Sequence, residues 1–182
     1  MKKDSIISVF KFTNAQKVLS FLSENAGKEF SGSQIQKATG ISKAGVYLTL
    51  TELVRHELVL KIKKGSILLF AINYDNPLVK QFKVLLNIIQ LAPILKSIKN
   101  LSVKVTLYGS TSRGEDSLDS DIDLFIVSKE PDVTKERLSK IKSNRKLQTV
   151  IKTPSEIPEL KTKEKVFFEE VSRGITLWEA KE

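Results

Sequence analysis

The chain has 182 residues, 41% of them hydrophobic and 28% charged, with a formal net charge of +9, a balance that suits a soluble protein with one medium core or two small ones. With no Cys, disulfides and thiolate metal sites are excluded, and a single His argues against a His-rich metal site or a Ser-His-Asp triad. The longest apolar stretch, VLLNIIQLAPILKSI, is interrupted by Asn87, Gln90 and Pro93 and falls short of the roughly 18 uninterrupted apolar residues of a membrane span, so no membrane association is expected.

At the N-terminus Lys2 and Lys3 are followed by Asp4, Ser5, Ser8 and Lys11, which leaves no apolar run of the ~7 residues a secretory leader needs. The expected location is the cytoplasm. Charge divides unevenly: residues 1–75 carry net +5, residues 76–100 net +4 with no acid, and residues 101–182 net zero. Such asymmetry suggests two modules, the first facing a polyanion, because Lys and Arg that neutralise phosphates release condensed counterions. A lysine-rich solvated surface would give the same charge.

TNAQKVLSFLSENAGKEF offers Thr13 or Asn14 as an N-cap, apolar Val18, Phe21 and Leu22 at helical spacing, and a stop at Gly27. SGSQIQKATG follows with Ser31 and Ser33 as caps, Ile35 and Ala38 inside, and Gly40 at its end. ISKAGVYLTLTELVRHE then has Ser42 as N-cap and Val46, Leu50 and Leu53 on one face. A short helix, a glycine turn and a longer capped helix make a helix-turn-helix. In LVLKIKKGSILLFAI two β-rich runs flank Lys63-Lys64-Gly65-Ser66, a hairpin.

Helix, helix-turn-helix and hairpin follow the order of a winged helix, and Lys11 to Asn73 resembles the winged helix-turn-helix domains of bacterial and archaeal transcription regulators. One departure is Glu57, where such domains often carry Gly. With Val46, Leu50 and Leu53 inward, the opposite face carries Ser42, Lys43, Tyr47, Thr51 and Arg55, side chains suited to phosphates and base edges in a major groove. Lys61, Lys63 and Lys64 on the wing could reach the adjacent backbone. Double-stranded DNA is the expected partner, and a protein-interaction or dimerisation surface the alternative. His56 is assigned no role.

Asn76 before Pro77 marks a helix start, and Leu78, Phe82, Leu85, Leu86, Ile89 and Leu91 form a broad apolar stripe, with Pro93 ending or kinking the helix. Such a stripe is a homodimer seam or a brace between two domains.

LSVKVTLYGS alternates around Val103, Val105 and Leu107 and runs into Gly109-Ser110, while DIDLFIV is a second strand that puts Asp121 and Asp123 on one face, with Cα atoms roughly 6.5 to 7 Å apart. Two carboxylates so close repel unless a cation lies between them, and a pair of hard divalent ions would satisfy both while clamping triphosphate oxygens. Gly109 lets the backbone approach a phosphate, whose oxygens the Ser110 hydroxyl and nearby N–H groups can hold. The acidic residues between, Glu115, Asp116 and Asp119, are expected to be solvated.

Gly109-Ser110, ten residues and Asp121-Ile122-Asp123, with Arg113-Gly114 inside and Ser120 before the first Asp, is similar to the minimal nucleotidyltransferases of the DNA polymerase beta superfamily. The resemblance implies that Gly109 and Ser110 hold the nucleoside triphosphate with Arg113 and Ser120 beside it. It also implies that Asp121 and Asp123 are the catalytic, metal-holding pair for Mg²⁺ (Mn²⁺ being the alternative), and that a nucleoside monophosphate passes to an acceptor hydroxyl. Downstream, DVTKERLSKIKSN reads as a helix, RKLQTVIKTP as a third strand, and EVSRGITLW as a helix end capped by Gly174 followed by a strand or loop with Trp178 in the core.

Catalysing members of that family usually carry a third carboxylate on the third strand, as metal ligand and base. Here Gln148 or Val150 stands near that place, and neither acts as a base near neutral pH. Glu156 could substitute only if the chain folds back. The expected architecture is α+β with two domains: a winged helix at residues 1–75, a connector at 76–100, and a nucleotidyltransferase-like mixed sheet with packed helices at 101–182. Three functions follow: a DNA-binding transcriptional regulator whose second domain binds Mg-nucleoside triphosphate; an active transferase, for which the resemblance implies an antitoxin that nucleotidylates a HEPN-type toxin; or transfer to a small molecule or RNA.

Overall fold

The computed structural model describes residues 12–117 and 119–180; Lys2, Lys3, Asp4, Ser5, Ser8 and Lys11, read above for the absence of a leader, lie outside the described residues. Two compact units divide the chain, Met1–Leu86 and Asn87–Glu182. Both mix helices and strands.

In the first unit α1 (Asn14–Glu24), β1 (Phe30–Ser31), α2 (Gly32–Thr39), α3 (Lys43–Arg55), β2 (Val59–Lys64) and β3 (Ile67–Ile72) follow one another. Each helix begins at a side-chain cap: Thr13 and Ser31 form capping boxes with Gln16 and Gln34, and the Ser42 hydroxyl accepts from the Gly45 N–H at 3.2 Å. α1 stops at Glu24 with Asn25 as its cap, before Gly27, because the Asn25 side chain donates back to the Phe21 carbonyl at 2.9 Å. α2 ends on Gly40 in the left-handed conformation. Val18, Leu22, Ile35, Val46, Leu50, Leu53, Val59 and Ile72 form one core. β3 lies between β1 and β2, antiparallel to both, and Gly65-Ser66 makes the tight turn.

Glu57 closes α3 in a Schellman turn: its N–H reaches the Val54 carbonyl and the Leu58 N–H reaches Leu53. That geometry places Glu57 at φ +56, the one positive-φ residue other than Gly among the described residues. The Asn73 and Asn76 side chains donate to its carbonyl at 2.7 and 3.3 Å and help hold it there.

α4 (Pro77–Ile98) starts where Asn76 accepts from the Leu78 N–H at 2.9 Å. It neither ends nor breaks at Pro93; Leu91, Ile94 and Ile98 are anchored in the core of the second unit, and that packing outweighs the one backbone bond proline removes. By length and composition α4 is apolar enough to cross a membrane, although 44% of the apolar window is buried. Counting only uninterrupted runs hid this, and the core helix of a soluble domain meets the same criterion.

The second unit continues with β4 (Ser102–Tyr108), α5 (Gly109–Arg113), β5 (Ile122–Ser128), α6 (Pro131–Ser139), β6 (Leu147–Lys152), α7 (Ile157–Lys163), α8 (Lys165–Ser172) and β7 (Ile175–Glu179). The sheet order is β6-β5-β4-β7, with β5 and β6 parallel and the other pairs antiparallel. Strand alternation sorts β5 cleanly. Ile122, Leu124 and Ile126 join α4 and α6 in one core, whereas Phe125 and Val127 join Tyr108, Leu160 and Val171 in another. Asp123 shares the parity of the second set. Gly174 is not the cap of α8, which Arg173 supplies; it is needed because a Cβ there would collide with the Leu107 carbonyl. Trp178 packs part-buried against the α4 side.

Candidate functional site

β4 delivers Gly109 and β5 delivers Asp123, and the register pairs Tyr108 with Asp123, so the glycine turn and the acid meet at one end of the sheet. Gly109 has φ +68, and a Cβ on it would push the Asp123 carboxylate aside; both features favour glycine. Instead of an open turn, Gly109-Ser110 begins α5. Asp121 stands just before the strand, and its carboxylate takes an exposed ion pair with Lys146 at 3.0 Å. Burial raises the Asp123 carboxyl above its ordinary range, with further upward pushes from Asp121 and Glu170 and a smaller downward one from Arg145. Tyr108 is pushed up to about 12 by burial first, then by Asp123 and Glu170.

Two converging oxygen donors that repel each other suit a hard divalent ion. Asp121 and Asp123 would hold it, and the field of such a cation would pull the Asp123 carboxyl back down. Among the described residues no three His, Cys, Asp or Glu side chains cluster as a metal cage, so remaining ligands would come from nucleotide oxygens and water, as is usual for Mg²⁺.

Ser110 is half-buried. Arg113 is exposed and paired with Glu115 at 2.9 Å, a contact that phosphate would have to displace. The Ser120 hydroxyl accepts from the Ser117 N–H at 2.8 Å and so serves the loop. Glu115 and Asp119 are exposed as expected, but Asp116 is not solvated: it is 2% exposed. Its carboxylate accepts from Arg145 Nη1 at 2.8 Å and from Asn87 Nδ2 at 3.0 Å. Arg145 also donates to the Ser120 carbonyl at 2.9 Å, to Thr111 Oγ1 at 3.2 Å and to the Asp121 carbonyl at 3.3 Å. This fork ties the acidic loop, α5 and the entry to β5 together. Neither Arg145 nor Asn87 was legible as a site residue, since each lies about 30 positions from Asp116 in sequence and no local pattern links them.

On the third strand Gln148 pairs in register with Asp123, so an amide stands beside the acid pair. Glu156 does not fold back: it caps Thr153, whose N–H donates to it at 2.7 Å, and that bond, chiefly, lowers its carboxyl. A different carboxylate approaches instead. Glu170 on α8 lines a cavity of about 440 Å³ together with Ser112, Arg113, Val166, Glu169 and Arg173.

In the first unit Lys43, Tyr47, Thr51 and Lys61 line one groove of about 430 Å³, floored by Val46, Leu50, Val54, Leu68 and Phe70. Ser42 is occupied as an N-cap, and the Thr51 hydroxyl donates to the Tyr47 carbonyl at 2.9 Å. Arg55, Lys63 and Lys64 lie outside the groove lining; Lys64 is paired with Glu29 at 2.7 Å, and Arg55 contacts the His56 ring at 3.3 Å. Leu48, Leu60 and Ile67 are also exposed, an apolar content the charge pattern did not announce.

Residues 88–172, just under half of the chain, match the family model described as a nucleotidyltransferase domain. The match begins within α4 and ends with α8, so it takes in the glycine-serine helix, both aspartates, the Arg145 fork and Glu170. No curated protein matches the chain.

Proposed function

We propose that the nucleotidyltransferase domain at residues 88–172 binds a Mg-nucleoside triphosphate, and that the first unit binds double-stranded DNA, making the protein a nucleotide-responsive regulator. The observation that carries the nucleotide half is the approach of Gly109 to Asp123: a left-handed backbone that favours glycine lies against one carboxylate, whose neighbour Asp121 repels it. In this reading Asp121 and Asp123 hold the ion, Lys146 swings off Asp121, and the α5 backbone with Ser110 and Arg113 holds phosphate oxygens. Bound Mg²⁺ would supply charge neutralisation at the phosphates. The Arg145 fork keeps the Asp121 carbonyl and α5 in register, so that the carboxylates are preset before nucleotide arrives.

Calorimetric titration of MgATP, MgCTP and MgGTP into the native protein and into the Asp121→Asn, Asp123→Asn double variant tests this. Binding that vanishes in the variant supports the site; no binding by the native protein would sink it.

Supporting the DNA half are the order of a helix-turn-helix and a hairpin and the exposed Lys43, Tyr47, Thr51, Arg55, Lys61 and Lys63, as in a winged helix. Lys43→Ala with Arg55→Ala should weaken DNA affinity and lower the salt slope by about one unit per lost phosphate contact; unchanged affinity and slope would refute the reading.

A second reading, active transfer of the nucleotide to a protein hydroxyl, is favoured by the cavity between α5 and α8 and by the Glu170 carboxylate that lines it. A mass increase on a co-expressed partner, lost in Asp121→Asn, is its expected signature; an unmodified partner beside the native protein would count against it.

A further inference from the structure

We propose that Glu170 accepts the proton of the attacking hydroxyl in nucleotidyl transfer, and that the cavity lined by Ser112, Arg113, Val166, Glu169, Glu170 and Arg173 admits that acceptor. The inference rests on the active-transfer reading and adds the missing base. Transfer forms a bond from the acceptor oxygen to the α-phosphorus, breaks the bond to the β-phosphate oxygen, releases pyrophosphate and leaves one proton to be taken up.

Apart from Asp119, exposed in the loop before Asp121, the other nearby acids are committed. Asp121 and Asp123 form the cation pair; Asp116 is buried under Arg145 and Asn87; Glu115 is paired with Arg113; Glu156 caps Thr153; and Glu169 faces Lys165 at 4.0 Å. Glu170 makes no ion pair among the described residues.

Its position is fixed by packing rather than by charge. One turn earlier on α8, the Phe167 ring meets Tyr108 and Phe125 edge-on at 5.7 and 6.0 Å, and the next residue, Val171, is buried in the same core. These anchors hold α8 against the face of the sheet that carries Asp123. Tyr108, on which Phe167 sits, is the register partner of Asp123, so α8 lies over the end of the sheet that carries the acid pair, and the charge of Glu170 adds to the upward push on Asp123 and Tyr108. Yet it forms no three-acid metal cage with the aspartates. That separation suits a base standing beside the ion rather than a ligand. Arg113 and Arg173 at the cavity wall would offset the negative charge that gathers there.

Pyrophosphate release from MgATP, with glycerol and with the more acidic trifluoroethanol as acceptors, is measured beside calorimetric MgATP affinity. Glu170→Gln should keep affinity within about twofold while slowing release to glycerol by about 10²–10⁴-fold, with a smaller loss for trifluoroethanol, which needs less help to ionise. Equal rates in native and variant, equal losses for both acceptors, or no release by a native protein that binds MgATP would overturn the assignment and leave nucleotide binding standing. Loss of MgATP affinity in Glu170→Gln would also overturn it, by making Glu170 a ligand. Absence of MgATP binding by the native protein would remove the underlying reading as well.

Discussion

Arg145 and Lys146 are adjacent in sequence, carry the same charge and both pair with acids of the same loop, yet their surroundings differ. The Arg145–Asp116 pair has side-chain exposures of 14% and 2%, whereas the Lys146–Asp121 pair has 75% and 31%. The first is a floor: a planar fork reaching a carboxylate, two carbonyls and a hydroxyl in a setting where leaving any one unpaired is costly. The second is a mouth, a solvated contact that a metal ion can displace at little cost. One charge builds the site and its neighbour keeps the site's carboxylate company until something better arrives.

Breaking the floor should have the largest effect. Arg145→Ala strands Asp116 inside the protein and should cost about 3–5 kcal/mol, read as a lowered midpoint in urea unfolding. Arg145→Lys should recover only part of it, because a single ammonium cannot reproduce the fork. Full stability in Arg145→Ala would show that the network is not structural.

At the mouth, Asp123→Asn should abolish the proposed Mg-nucleotide binding yet raise the Tm of the metal-free protein. The sign follows from burial and Asp121, which raise the folded-state carboxyl above its unfolded value. The native protein therefore loses stability as pH rises from the ordinary carboxylate range through that raised value, and the variant does not. Its advantage should be present at neutral pH and vanish on acidification below about pH 4; an advantage that persisted there would have another source.

Away from the site, Glu57→Gly removes a left-handed non-glycine residue from the α3 turn and should stabilise by about 1 kcal/mol, seen as a higher melting temperature. Lys146→Ala should be the mildest, within about 1 kcal/mol of native stability. With the mouth's own cation gone, Mg²⁺-nucleotide affinity should stay level or increase. A large loss would make Lys146 a phosphate contact and blur the contrast with Arg145.

Much of this was legible locally. Thr13, Ser31, Ser42 and Asn76 announce their helices because capping is satisfied within three residues of the cap. Strand alternation accounts for the face of Asp123, whereas Asp121 stands one residue before β5, and Gly109 signals a special backbone because little else tolerates it. Local rules misplaced Pro93, since a helix break depends on what packs around it. The same rules left Asp116 in solvent, because sequence cannot tell an acid in a loop from one under an arginine.

The sequence by itself determined most of the elements, their N-terminal caps and the charge contrast between the two halves, the first two because they rest on interactions a few residues long. Tertiary structure decided the rest. Parallel pairing of β5 with β6 brings Arg145 back under Asp116 and sets Gln148 beside Asp123, and the seating of Phe167 on Tyr108 fixes α8, whose Glu170 lines a cavity with Ser112 and Arg113 of α5. Those contacts join residues about 30 to 60 positions apart, and only the packing of a whole sheet and its helices selects which distant side chains meet.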